Sequence, residues 1–144
     1  MPGIKNYSTE ISVAKTTGEI IGHLSRRGVR SISTLYDDEG NPEGIGFEMQ
    51  TDYGRRFFEL PVRTEGVFQA MKSNTTVPAK YRTREQAERT AWRIAQDWLE
   101  AQSALIDAGL ATLDEVMFPY MVGGKDNQSM YQLFRHNQLE LTAE

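Results

Sequence analysis

The stretch from residue 30 to residue 60 decides the fold, and it reads RSISTLYDDEGNPEGIGFEMQTDYGRRFFEL. Two runs of turn-forming residues, 37–42 and 52–54, divide it into three segments with the alternating or β-branched composition of strands. Loops this short join neighbouring strands only in the antiparallel sense, because a parallel pair needs a long crossover. The stretch therefore predicts an antiparallel meander with strands over 30–36, 45–49 and 55–60.

The residues before the meander predict one strand and one helix. Tyr, Thr, Ile and Val alternate with polar residues over 7–13, which is the period of a strand. Thr16 and Glu19 have the spacing of a capping box, and Gly28 is free to adopt the positive φ that often ends a helix. We therefore expect a helix over about residues 17–27.

The residues after the meander predict mostly helix. A short helix is expected over 64–71. A long helix is expected to begin after Thr83, whose spacing to Gln86 is that of a second capping box, and to end near Gly109. A third capping box at Thr112 predicts a short helix that Pro119 ends. A turn is expected over 123–127, then a last segment over 130–135 that Ser129 caps, and a polar tail after Asn137.

The long helix carries two adjacent apolar stripes. The first recurs at alternating four- and three-residue steps and comprises Ala87, Ala91, Ile94, Trp98, Ala101, Leu105 and Ala108. The second comprises Trp92, Ala95, Leu99 and Ile106. Because a small sheet does not cover so wide a face, we expect a homo-oligomer whose seam includes Ala91, Ile94, Trp98 and Leu105.

Together these elements predict an α+β fold, with a small antiparallel meander sheet packed against one long C-terminal helix and two or three short helices. The length of 144 residues is that of a single domain spanning 1–144. Residues 1–61 are expected to be mainly strand with one helix, residues 62–137 mainly helical, and residues 138–144 a polar tail.

Composition excludes several classes of function. The chain has no cysteine, two histidines and a net charge of −4. Disulfides, thiolate metal sites and Cys nucleophiles are thereby excluded, and a basic coat for nucleic acid is disfavoured. We find neither an apolar leader nor a membrane-spanning stretch, so a cytoplasmic protein without membrane contact is expected. Since no catalytic motif is present either, we expect a non-enzymatic protein with no catalytic residue, no metal and no cofactor.

Charge is unevenly distributed along the long helix and predicts a ligand site. Residues 77–95 carry five cations and two carboxylates, whereas residues 96–116 carry five carboxylates and neither Lys nor Arg. This order opposes the helix macrodipole, which favours the reverse arrangement. The predicted site grips an anion with Arg89 and Arg93, assisted by Arg82, Arg55 or Arg56, and Trp92 is its stacking residue.

A different interpretation stays open for each of these residues. Glu85 with Arg89, and Arg93 with Asp97, have the i,i+4 spacing of ordinary surface ion pairs. Trp92 lies in the second apolar stripe, which favours core packing over stacking on a ligand.

Two segments carry a resemblance to a known group of proteins. Residues 91–102 read AWRIAQDWLEAQ and residues 115–120 read EVMFPY. They resemble an AWRIxxDWxxAQ helix and an EVFLPY-like segment in a family of small uncharacterised phage and prophage proteins. Met117 and Gln96 depart from that pattern, because a Phe and a Lys are usual at those positions.

The resemblance implies an accessory phage protein in the cytosol of a bacterial host, with no catalytic residue to carry over. The hypothesis we favour is a binding protein that antagonises host antiviral defence by sequestering an anionic nucleotide second messenger. Three alternatives remain. The first is a single-stranded nucleic-acid-binding accessory of phage DNA metabolism, and the second is a stoichiometric protein inhibitor of a host defence enzyme, which would use the acidic half of the long helix. The third is a phosphodiesterase-type enzyme that would use His23 or a carboxylate as its acid–base group, and the small number of histidines disfavours it.

Overall fold

The meander forms the first three strands of a five-stranded antiparallel sheet, in the order β1-β2-β3-β4-β5. The computed structural model describes residues 4–123 and 127–137. In chain order the elements are α1 (Val13–Arg26), β1 (Ser31–Tyr36), β2 (Pro42–Thr51), β3 (Gly54–Pro61), α2 (Thr64–Ser73), α3 (Arg84–Asp107), α4 (Leu113–Met117), β4 (Met121–Gly123), β5 (Gln128–Ser129) and α5 (Met130–Asn137). Two 3₁₀ turns, Ala79–Tyr81 and Phe118–Tyr120, precede α3 and β4. The predicted α+β class is confirmed.

The register of the sheet separates its two faces. Phe47 lies opposite Phe58, Ile45 lies opposite Leu60, and the two Phe rings stack with their centroids 5.2 Å apart. These four side chains are buried, so they define an inner face. Residues at the alternate positions, such as Glu48 and its partner across the ladder, point to the opposite, outer face.

Three helices cover the inner face and form the main core with it. The buried side chains of this core are Ile20 and Leu24 of α1, Val29, Ile45 and Phe47, Phe58, Leu60 and Val62, Ala91, Trp92 and Leu99 of α3, and Leu113 and Met117 of α4. A smaller cluster of Met71, Val77 and Ala87 packs α2 against the beginning of α3. Among the described residues no buried apolar cluster lies on the outer face, where Phe57 is exposed.

The strand predicted over residues 7–13 is absent, and the described part of this segment up to Ser12 is a loop. Side chains of α3 bind its backbone: Gln86 Nε2 donates to the carbonyl oxygens of Tyr7 and Thr9 at 2.9 and 2.8 Å, and Thr90 Oγ1 donates to that of Asn6 at 3.0 Å. These contacts satisfy carbonyl groups that a strand would pair with another strand. The prediction of a strand is therefore wrong, because the backbone of this segment pairs with side chains of a helix and not with another strand.

Helix α1 begins four residues before the predicted start. Ser12 is the N-cap and accepts from the Lys15 N–H at 3.1 Å. Thr16, the predicted cap, is fully buried inside the first turn of the helix. The predicted end is confirmed, since Gly28 follows the helix with φ of +90°.

Helix α3 has the predicted extent, and Thr83 caps it by accepting from the Gln86 N–H. The burial of its two stripes is unequal. Trp92 and Leu99 of the second stripe are fully buried, whereas Ala101 and Leu105 of the first stripe are exposed. The second stripe therefore faces the core over much of the helix, and the first stripe does so near its N-terminal end.

The two capping predictions for the C-terminal part are confirmed, whereas the short strands β4 and β5 beside the predicted turn were not expected from the sequence. The capping box of Thr112 and Glu115 is present, and Ser129 accepts from the Gln132 N–H at the start of α5. Within the predicted turn, residues 124–126 lie outside the described residues, as does the predicted polar tail 138–144.

Candidate functional site

Trp92 is not available to a ligand. Its side chain is fully buried in the main core, between the sheet and the helices that cover it. The prediction that it stacks on a base or nucleotide is therefore wrong, and the alternative of core packing is confirmed.

The two arginines of α3 bind to neighbouring side chains of the chain itself. Arg93 Nη1 lies 2.6 Å from Glu19 Oε2 of α1, and the arginine side chain is 14% exposed. Arg89 donates through Nε and Nη2 to Gln86 Oε1, at 3.1 and 2.6 Å. Arg93 thus links α1 to α3. Arg89 binds the Gln86 side chain, which in turn binds the backbone of the loop before α1.

The other three predicted arginines have local partners as well. Arg82 Nε donates to the Val77 carbonyl at 2.7 Å, and Arg55 forms an ion pair with Glu48 at 2.8 Å. Arg56 Nη1 donates to the carbonyl of Arg55. The six predicted ligand residues are thus divided among α3, β3 and the loop before α3, and each of the five guanidinium groups already has an acceptor.

Carboxylates outnumber cations around the cavities near the start of α3. A cavity of about 630 Å³ contains Arg89 and Lys80 together with Glu10, Glu85 and Glu88, and it contains none of the other five predicted ligand residues. Burial raises the pKa of Glu88, and the negative charges of Asp37 and Glu85 contribute in the same direction. This lining disfavours an anionic ligand, since bringing an anion beside like charges costs free energy.

An adjoining cavity of about 480 Å³ has the same character. Its lining includes the carboxylates of Asp37, Glu43, Glu65 and Glu88 and the guanidinium groups of Arg63 and Arg84. Arg84 is paired with Glu65 at 2.6 Å. Neither cavity therefore offers the cationic lining that the nucleotide hypothesis requires.

His23 lies where α1 faces α3. One ring nitrogen is 3.2 Å from Gln96 Nε2, and the other is 3.3 Å from Arg26 Nη2. Burial lowers the pKa of His23, and the positive charges of Arg26 and Arg27 lower it further. The negative charges of Glu100 and Glu19 act in the opposite direction, but among the described residues no carboxylate forms an ion pair with this imidazole. Its contacts with an amide and a guanidinium group therefore serve the packing of the two helices.

An apolar groove runs along α3 and brings most of the predicted seam together. We call it the α3 groove; its volume is about 280 Å³. Its lining consists of Leu60, Pro61, Val62, Arg63, Val67, Ala91, Ile94, Ala95, Trp98 and Tyr120. Three of the four predicted seam residues, Ala91, Ile94 and Trp98, are among them, whereas Leu105 lies outside and is 42% exposed.

The fold builds the walls of this groove from three elements besides α3. The end of β3 and the start of α2 form one wall, with Leu60 and Val67. The opposite wall is Tyr120, whose ring meets Trp98 edge to face with centroids 6.0 Å apart. Arg63 is the one charged side chain in the lining, so apolar contact dominates what the groove can offer.

Sequence reasoning missed the residues that α3 does not supply. Tyr120, Leu60, Val62 and Val67 are apolar or aromatic, but each is spaced like an ordinary core residue of its own element. The spacing within one helix shows which side chains share a face. It does not show which distant residues stand beside that face.

A second depression on the outer side of the sheet adjoins the α3 groove. It has a volume of about 390 Å³ and shares Pro61, Val62, Arg63 and Tyr120 with the groove. Leu35 and Glu59 from the outer face and Tyr131 from α5 also line it. The two depressions meet around the end of β3, so a surface longer than either one is open to a partner.

Within residues 4–123 and 127–137 there is no group of three or more His, Asp or Glu that could hold a metal ion. None of the helices in those same ranges is long and apolar enough to cross a membrane. The chain matches no model of a known protein family, no curated protein and no solved structure. The candidate site therefore stands on its geometry.

Proposed function

We propose that this chain is a non-enzymatic binding protein whose α3 groove holds an apolar segment of a partner protein. The observation that carries the proposal is the open apolar lining around Ile94 and Trp98, which the chain itself leaves half-buried. Apolar side chains at the centre of a protein interface supply much of its binding energy, and aromatic residues are enriched there. Tyr120 and Trp98, whose rings meet edge to face, provide such aromatic surface in the groove lining.

A protein partner fits these contacts better than a nucleotide does. The aromatic residue expected to stack is in the core, the guanidinium groups are engaged, and carboxylates predominate around the cavities at the start of α3. The same carboxylates, together with a net charge of −4, count against a groove for single-stranded nucleic acid. Both hypotheses remain as outcomes of the experiment below.

The resemblance to phage and prophage proteins supplies the biological context of the proposal. A phage protein without catalytic activity can block a host defence enzyme by binding to its surface, one copy of the phage protein to each copy of the enzyme. We therefore propose a stoichiometric inhibitor in the bacterial cytosol, whose contact surface is the α3 groove instead of the acidic half of α3.

Native mass spectrometry of the tagged protein, purified from infected bacterial cells, tests the proposal. We expect one co-purifying protein at a fixed stoichiometry. Ile94→Asp should weaken this complex at least about tenfold, because it places a charge in an apolar contact. Ile94 is half-buried, so the variant should still fold, and circular dichroism with thermal melting checks that.

Ala104→Asp is the matched control, since it adds the same charge to an exposed position of α3 outside the groove lining. It should leave the complex intact. A complex that survives Ile94→Asp contradicts the groove assignment. A bound nucleotide that is lost in Arg89→Ala would instead support the sequestration hypothesis, and binding to single strands that falls steeply with salt would support the nucleic-acid hypothesis.

A further inference from the structure

Strand β1 is an unprotected edge of the sheet. It pairs with β2 on one side, and no described strand pairs with its other side. Its six residues, SISTLY, include neither a charged residue nor a proline. Natural edge strands usually carry such residues because unpaired N–H and C=O groups attract another strand. Ser31, Ser33 and Tyr36 are exposed, which leaves this edge accessible.

The irregularity in the first hairpin does not interrupt β1. Leu35 lies opposite Gly44 and Tyr36 lies opposite Pro42, so the extra residue, Glu43, belongs to β2. The backbone of β1 therefore keeps its regular alternation from Ser31 to Tyr36 and presents its free edge without a bulge.

Opposite charges flank the two ends of β1. Arg30 precedes the strand, and the turn after it carries Asp37, Asp38 and Glu39. Arg30 and Asp38 are exposed, and neither forms an ion pair within the described part of the chain. Two parallel copies of β1 would place like charges together, whereas two antiparallel copies place each Arg30 beside the acidic turn of the other copy.

In one antiparallel register, the opposite charges at the strand ends come close together and the side chains that face each other are compatible in size. Residues opposite each other in a sheet point to the same face, so the sum of their numbers must be even for a strand that pairs with itself about a two-fold axis. With Thr34 opposite its own copy, Ile32 lies opposite Tyr36 and Ser33 lies opposite Leu35. The same register brings Arg30, which directly precedes β1, to the end of the second copy's strand, where the acidic turn with Asp38 begins.

We propose that two copies of this chain pair antiparallel through β1, with Thr34 on the two-fold axis, and form one continuous ten-stranded sheet. The interface is isologous, so every contact occurs twice. Leu35, which lines the outer depression, then lies beside Ser33 of the second copy, and the outer depressions of the two copies become neighbours. This surface is separate from the α3 groove, so either proposal can fail without the other.

Charge reversal combined with sedimentation velocity tests the pairing. The wild-type protein should be a dimer at micromolar concentration. Arg30→Asp and Asp38→Arg should each raise the dimer dissociation constant at least about tenfold, because each replaces two attractive pairs by two repulsive ones. The double variant should recover the dimer, since the pairs are re-formed with the charges exchanged.

Both positions are exposed, so the variants should remain folded, with the circular dichroism spectrum of the wild type. A monomeric wild-type protein overturns the proposal. Single reversals that leave the dissociation constant unchanged, or a folded double variant that stays monomeric, overturn it equally.

A cysteine placed on the axis tests the register without changing charge. The chain has no cysteine, so any disulfide reports the introduced residue alone. Thr34→Cys should form a covalent dimer on mild oxidation, because opposite Cα atoms in an antiparallel ladder are about 4.5–5.5 Å apart. Ser33→Cys is the matched control and should remain monomeric under denaturing electrophoresis. Cross-linking of Ser33→Cys in preference to Thr34→Cys overturns this register.

Discussion

Arg93 shows how a side chain's role depends on a neighbour that is distant in sequence. Its spacing to Asp97 allows a surface ion pair within α3, and its position in a basic stretch suggested a ligand contact. In the structure its guanidinium group reaches Glu19 of α1 instead, 74 positions away in sequence. With 14% of the arginine side chain exposed, this pair ties two helices together.

Replacing Arg93 should therefore affect stability directly. Arg93→Ala is expected to lower the free energy of unfolding by about 1–3 kcal/mol, because it leaves Glu19 partly buried without its partner. Urea denaturation measures the change. Arg93→Ala and Glu19→Ala together should cost less than the sum of the two single changes. An Arg93→Ala protein as stable as wild type would contradict a structural role and would make Arg93 a candidate ligand residue again.

At the scale of elements, the segment before α1 is bound by α3, a helix that is distant from it in sequence. Gln86 is buried and binds two carbonyl groups of the segment through Nε2, while its Oε1 accepts from Arg89. The side chain that looked like the second half of a capping box thus serves a tertiary contact. The first half of that box, Thr83, still caps α3.

Removal of the Gln86 amide should release this segment selectively. Gln86→Ala is expected to speed amide hydrogen exchange over residues 6–11 and to lower the free energy of unfolding by about 1–3 kcal/mol, since two partly buried carbonyl groups lose their donor. Exchange within α3 should change much less. Gln69→Ala, at an exposed glutamine of α2, is the control and should leave the segment protected. Unchanged exchange over 6–11 in Gln86→Ala would show that other contacts hold the segment.

At the scale of the whole molecule, one core joins the sheet to the helices on its inner face. Trp92 is among the largest fully buried side chains, and the helices α1 and α4 pack into the same core. Trp98, six residues further along the same helix, is half-buried at the α3 groove. The two tryptophans therefore divide α3 between internal packing and a surface available for binding.

This difference in burial predicts that truncation of Trp92 lowers the free energy of unfolding more than truncation of Trp98 does. Trp92→Ala should lower the free energy of unfolding by about 3–5 kcal/mol, the range for a buried aromatic residue, and Trp98→Ala should cost clearly less. Chemical denaturation of both variants gives the comparison. The emission of Trp98→Phe, which retains Trp92 as its one tryptophan, should be blue-shifted as expected of a buried indole. Equal costs for the two truncations would contradict the assignment of core and groove.

Sequence by itself determined the elements that depend on short-range contacts. The turn residues of 37–42 and 52–54 impose the antiparallel meander, and the side chains of Thr83, Thr112 and Ser129 each cap a helix by accepting from the N–H three residues ahead. These features are encoded locally, because each depends on backbone conformation and hydrogen bonds between near neighbours in the chain.

Tertiary structure alone decided which surface each pattern serves. Residues 7–12 carry a strand's alternation but are bound by α3. The sheet, α1 and α4 bury the second stripe of α3 over much of the helix, whereas the first stripe is buried only near its N-terminal end. The α3 groove exists because Tyr120 and the end of β3 come to stand beside Ile94. These contacts join residues that are far apart in sequence. The free energy of such contacts depends on the packing of the whole core, which cannot be predicted from the spacing of residues within one element.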